Sequence, residues 1–141
     1  MEIELLDRKL EDLKVGQETS MTSRITQQEF ETFKELTGDK APVHWKDSFA
    51  KEMGYASTIS YGLLVLSKFS GLLGMQIPGP RSVIVQTQFK WKLPVFVGDE
   101  LTYKVRISKI ATAVRLVVLQ CEVVRNSDLI GGGEFQCLMR I

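Results

Sequence analysis

The one histidine of this 141-residue chain, His44, stands five positions after Asp39 in the stretch TGDKAPVHWKDSFA, with Pro42 between them. A carboxylate and an imidazole within reach of one water can divide general acid and general base work, because each can be poised near neutral pH. Pro42 has no N–H and keeps a helix from running through the segment, so the pair is expected on a loop. A loop lets both side chains turn into one cleft. The same residues also fit a structural reading, with Gly38-Asp39 as turn chemistry and His44 as a half-buried packing residue. Spacing alone leaves both readings open.

Three further positions have chemical potential. Gly62 opens an apolar stretch with helical character, and a helix start offers unpaired N–H groups to an anion or a developing oxyanion. Glycine there also lets a ligand carbonyl come close to the backbone, although tight packing at a helix start explains it equally well. Tyr61 beside it is either a hydrogen-bonding wall of a pocket or an amphipathic rim residue. Ser70, in FSGLLG, is expected to bond back to a carbonyl one turn earlier, as helical serines do. No Walker loop, GxGxxG or GxSxG is present, and one histidine with two cysteines gives no metal site of ordinary spacing. Direct acid–base work or binding is what this inventory leaves.

The elements that must position these residues follow from periodicity. Phe30, Phe33 and Leu36 recur on one face of a helix over 27–36, with Thr26 as N-cap, Glu29 completing a capping box, and Gly38 as the stop. A second short helix is expected from Asp47 to Met53, ending at Gly54. Between Gly62 and Met75 the apolar residues cover almost every side and Lys68 is the only charge, which describes one helix buried on most sides. After Pro80 the period changes to two. Strands are expected around Val83–Leu93, Leu101–Ser108, Val114–Val124 and Phe135–Ile141, the third with a bulge or burial on both faces. With an N-terminal strand near 18–25, the economical α+β architecture is an antiparallel sheet curled around the buried helix, residues 1–141 forming one domain.

Composition narrows the partners. The chain is 44% hydrophobic and 25% charged with a net charge of +1, so it is expected to fold, and nucleic acid is a poor partner. Lys90-Trp91-Lys92, the densest basic cluster, alternates along a strand and reads as a solvated face. Cys121 and Cys137 fall in apolar-alternating segments and are expected to be reduced core residues. The N-terminus lacks the pattern of a signal or transit peptide, and no apolar run approaches the roughly 18 residues of a membrane span. A cytoplasmic location and no membrane partner follow as expectations.

Taken in order, TGDKAPVHWKDSFAKEMGY, YGLLVLSKFSGLLGMQIPGP and QTQFKWKLPVFVGDELTYKVRI resemble the MaoC-like, (R)-specific enoyl-CoA hydratase family of the hot-dog fold, over about residues 16–141. The resemblance implies reversible syn addition of water to a trans-2-enoyl thioester, giving the (R)-3-hydroxyacyl thioester. It implies Asp39 and His44 as the catalytic pair, the Gly62 N–H as oxyanion donor, and Ser70 as a serine near the site. It also implies CoA as part of the substrate rather than a cofactor, and at least a homodimer paired through its sheets. Two positions depart from the family pattern. Ala41 stands where asparagine is usual, and Tyr61-Gly62 where His-Gly is usual. Competing readings are a 3-hydroxyacyl-ACP dehydratase, and an acyl-thioester-binding hot-dog protein whose turnover has weakened.

Overall fold

The computed structural model describes residues 2–141, leaving only Met1 undescribed. The chain begins with a segment that includes a 3-10 turn at Leu10–Asp12 and then forms β1 (Glu18–Arg24) and α1 (Gln27–Thr37). Next come α2 (Asp47–Glu52), α3 (Gly62–Ser67) and α4 (Phe69–Met75). Four strands follow: β2 (Ser82–Trp91), β3 (Glu100–Ala111), β4 (Leu116–Arg125) and β5 (Asp128–Met139). Together with β1 they form a five-stranded sheet in the order β1-β3-β4-β5-β2, antiparallel at every pairing.

The sheet closes on the helical pair. Phe69, fully buried in α4, meets the rings of Phe89, Tyr103 and Phe135 at 6.1, 5.0 and 5.4 Å, so β2, β3 and β5 converge on one side chain. Leu101, Tyr103, Val105 and Ile107 of β3 are at most 1% exposed, as the period-two pattern requires. The blurred pattern around Val114–Val124 reflects burial on both faces, since Val117, Val118 and Leu119 are buried in succession, and opposite them a register shift between Ile107 and Lys109 leaves Ser108 of β3 out of the pairing. Val114 itself lies before β4, in a 3-10 turn. Cys121 and Cys137 are buried free thiols, as expected.

The central helix departs from the single run expected over 62–75. It breaks into α3 and α4 at Lys68, whose side chain is turned inward to Glu29 Oε2 at 2.8 Å, Ser23 Oγ at 2.6 Å and the Arg24 carbonyl at 3.0 Å. Next to it, Ser67 Oγ donates to the Leu64 carbonyl at 2.7 Å, a local bond of the kind that bends helices. One buried ammonium thus ties the helix to α1 and to the end of β1. Burial is also less complete than the sequence suggests, since Leu63 is exposed, as are Leu36 on α1 and Ile141 beyond β5.

Strand β2 is an edge of the sheet, with no further strand paired to it among the described residues, and Val83, Ile84, Val85 and Trp91 are exposed despite a core-like composition. Its other side rests on Gly131, Gly132 and Gly133 of β5. A Cβ at Gly131 would run into the Lys90 carbonyl, and one at Gly133 into that of Gln88. Only glycine permits so close an approach of the two backbones.

Candidate active site

The segment from Thr37 to Gly62 crosses the helical side of the molecule with little regular structure, and single contacts fix its shape. Thr26 and Glu29 cap α1 reciprocally at its start. Gly38, at φ +71°, ends α1 and donates its N–H to the Lys34 carbonyl at 2.8 Å. The Asp39 N–H then donates to Thr37 Oγ1 at 3.2 Å, and Asp39 Oδ1 accepts the Ala41 N–H at 3.0 Å. One carboxylate oxygen is thereby committed to an Asx turn, which leaves Oδ2 for chemistry. Trp45 Nε1 closes the loop on the Lys40 carbonyl at 2.8 Å. The loop expected across Asp39–His44 contains one turn of 3-10 helix, Pro42–His44, with Pro42 at its first position where no N–H is needed.

His44 Nδ1 lies 2.9 Å from the Ile59 carbonyl oxygen. A carbonyl only accepts, so Nδ1 carries the proton in the neutral ring and Nε2 presents its lone pair. That lone pair faces Asp39 Oδ2 across 3.8 Å. The gap is too long for a direct hydrogen bond and suits one water oxygen bonded to both. The ring is shielded, with 12% of its side chain exposed, whereas Asp39 is 43% exposed and open to an incoming ligand.

Tyr61 is the floor of the pair rather than a rim residue. It is 2% exposed, donates its hydroxyl to the Asp39 carbonyl at 2.7 Å, and stacks on the His44 ring at 4.0 Å. Phe30 and Phe33 support it from α1 at 4.8 and 5.0 Å. Burial, and secondarily the charge of Asp39, hold its phenol above the ordinary range, so it stays a donor at neutral pH.

Asp39, His44, Tyr61 and Gly62 line one cleft of about 240 Å³ together with Phe33, Leu63 and Trp91. The Gly62 carbonyl accepts Trp91 Nε1 at 3.1 Å, and a Cβ at position 62 would lie 3.1 Å from that same atom. Ser70 is not brought in. It is exposed on α4 and does not line the cleft, and the bond back along the helix that it was expected to make is made by Ser67 instead.

A sequence profile of the family described as "MaoC like domain" matches residues 10–125. The chain belongs to this MaoC-like family. It is 39% identical over 98 residues to an (R)-specific enoyl-CoA hydratase of Aeromonas caviae, covering 70% of this chain and 73% of that protein. It is 29% identical over 124 residues to a 3-hydroxybutyryl-CoA dehydratase of Methylorubrum extorquens, covering 88% and 79%. Among solved structures, the (R)-hydratase from A. caviae involved in PHA biosynthesis superposes with a TM-score of 0.84 at 32% identity, over 91% of this chain and 98% of that one. The fold is therefore the hot-dog arrangement that the sequence resemblance implies.

In this MaoC-like chain, the two departures from the family pattern have different structural weight. Ala41 serves Asp39 through its backbone N–H, which any residue but proline would supply. Tyr61 acts through both ring and hydroxyl. Two participants had no signal in the sequence. Ile59 works through a backbone carbonyl, and Trp91 reaches the cleft from the far end of β2.

Proposed function

We propose that this protein is an (R)-specific hydro-lyase that adds water reversibly to a trans-2-enoyl thioester, carried by CoA, to give the (R)-3-hydroxyacyl thioester. The carrying observation is the 3.8 Å gap between Asp39 Oδ2 and His44 Nε2, with the remaining atoms of both groups already committed. A water in that gap donates one O–H to each acceptor. As its oxygen bonds to C3 of the substrate, the proton facing His44 passes to Nε2 and is delivered to C2 on the same face. The other proton stays on oxygen, bonded to Asp39, and becomes the product hydroxyl. The C2–C3 π electrons move toward the thioester oxygen, where the Gly62 N–H stabilises the developing enolate. No cofactor enters, because CoA arrives with the substrate.

Relatives named as enoyl-CoA hydratase and 3-hydroxybutyryl-CoA dehydratase support this reading. The two buried free thiols fit a reducing cytoplasm, and among the described residues no helix is long and apolar enough to cross a membrane. The long apolar edge of β2 supports an assembly of at least two chains, paired edge to edge. A monomeric mass in light scattering would count against that pairing.

The test of the activity is hydration of crotonyl-CoA, followed as loss of the enone absorbance. Prompt turnover that Asp39→Asn and His44→Ala both abolish supports the enzyme. Full hydration by both variants would overturn the site. Tyr61 in place of the usual histidine favours one second reading, a thioester-binding protein with weakened turnover. Thermal stabilisation by crotonyl-CoA without hydration would identify it.

A further inference from the structure

Lys68 stands where the central helix is interrupted, and its side chain is 9% exposed. Its ammonium reaches three oxygens on two other elements. Glu29 Oε2 on α1 lies at 2.8 Å, and at the end of β1 Ser23 Oγ lies at 2.6 Å and the Arg24 carbonyl at 3.0 Å. The helix gives way around this anchor. The carbonyls of Leu64 and Val65, in the last turn of α3, accept hydroxyls, from Ser67 and Tyr103 at 2.7 Å each. A shielded ion pair is a weak source of net stability, because well-packed apolar side chains of similar volume serve as well or better. What it supplies is a fixed distance between the elements it joins.

Two of those elements hold Tyr61. Glu29 shares α1 with Phe30 and Phe33, next to the first and one turn before the second. The same Oε2 that meets Lys68 accepts the Thr26 N–H at 3.2 Å, so the cap of α1 and the ion pair converge on one oxygen. Phe30 and Phe33 press on Tyr61 at 4.8 and 5.0 Å, and Tyr61 is itself the residue from which α3 starts. Helix α3, six residues and about 9 Å long, then runs from Tyr61 to the anchor at Lys68. Tyr61 in turn stacks on His44 at 4.0 Å and donates to the Asp39 carbonyl at 2.7 Å. A change in the angle between α1 and α3 therefore reaches Asp39 and His44 through one ring.

We infer that Lys68 is a positioning residue for the Asp39–His44 pair. By holding α1 to the joint between α3 and α4, it keeps Tyr61 wedged between the two phenylalanines and the imidazole. It thereby keeps the 3.8 Å gap that one water spans. The inference rests on the hydratase reading above and adds to it a residue that lies outside the cleft.

The test combines crotonyl-CoA kinetics with the Cε1–H resonance of His44 in proton–carbon NMR, which is unique because the chain has one histidine. In the folded protein the ring current of Tyr61 displaces that resonance from its unfolded position. Lys68→Met should lower kcat about ten- to a hundredfold with KM within about twofold, the scale of a misplacement of about 1 Å. It should also move the resonance toward its unfolded position. Glu29→Gln keeps an oxygen for the Thr26 cap and gives up the ion pair, so it should move both readouts the same way by less. It carries the test if Lys68→Met does not fold. The double variant should lose no more than Lys68→Met alone, since both changes remove one contact. Leu119→Ala, which weakens the core elsewhere, should leave the resonance and kcat in place. Unchanged kcat and resonance in the folded Lys68 and Glu29 variants would overturn the inference while the hydratase reading stands. So would a fall in kcat with the resonance fixed, or an equal displacement by Leu119→Ala. A wild-type protein that hydrates nothing would sink the hydratase reading, and displacement of the resonance by Lys68→Met would still assign Lys68 its hold on the pair.

Discussion

Between Thr37 and Gly62 the chain has one 3-10 turn and the short helix α2, and its geometry hangs on single bonds: Ala41 N–H to Asp39, His44 to Ile59, Tyr61 to Asp39. Strands β3, β4 and β5 are instead held by a continuous ladder and a shared apolar face. In the first region each contact orients one group, and its loss changes geometry. In the second each contact is one of many, and its loss changes stability. The molecule keeps the two tasks on different stretches of chain, as sites built on a rigid scaffold tend to do.

The largest expected effect tests the site half of that contrast. Asp39→Asn or His44→Ala should lower kcat/KM by about 10²–10⁴-fold, with denaturant midpoints almost unmoved. A large loss of stability in either variant would show that the pair also carries the fold. Leu119→Ala, at a fully buried position of β4, should cost about 2–5 kcal/mol in urea denaturation while the folded fraction keeps its turnover. Tyr61→Phe sits on the boundary. It keeps the ring against His44 and loses the bond to the Asp39 carbonyl, so a stability loss of about 1 kcal/mol should accompany a clear fall in kcat. Unchanged kcat there would mean that the ring stack alone positions the pair.

The smallest effect near neutrality belongs to the thiols. Burial pushes Cys121 and Cys137 up to about 12 from the usual 9.0. The unfolded chain therefore releases these protons first, so their contribution to stability is intact below pH 9 and is lost as pH rises toward 12. Melting curves should be flat with respect to these groups up to pH 9 and fall beyond it, and the double Cys→Ala variant should fall less steeply. A thiol that alkylates rapidly at pH 8 in the folded protein would contradict their burial.

Much of the scaffold was legible because local pattern and tertiary position agree in it. The buried row of β3, the capping box of α1 and the left-handed stop at Gly38 all follow from residues close in sequence. Strand β2 has the same alternation as β3, yet it is exposed, because neighbours across the sheet decide burial and composition does not. The break at Lys68 depends on Ser23, Arg24 and Glu29, some forty residues earlier, which no window around the helix contains. At the candidate site, the Asp39–His44 spacing was visible because the two groups face each other through their side chains. The Ile59 carbonyl was invisible, since every residue has one. Ser70 was singled out by its place in FSGLLG, and the turn of the helix leaves it facing away from the cleft.

Ile59, Ser60 and Tyr61 are consecutive, and between them they orient the imidazole, line a second cavity beside Trp91 and support the carboxylate. Residues 39–62 therefore behave as a cassette, with spacing as its essential information. Insertions at the Asn126-Ser127 turn, between β4 and β5, leave that spacing untouched. A single deletion between Ala50 and Ile59 would pull all three anchors out of phase at once. For anyone redesigning this protein, substitutions inside the cassette are adjustable one at a time, whereas its length is not.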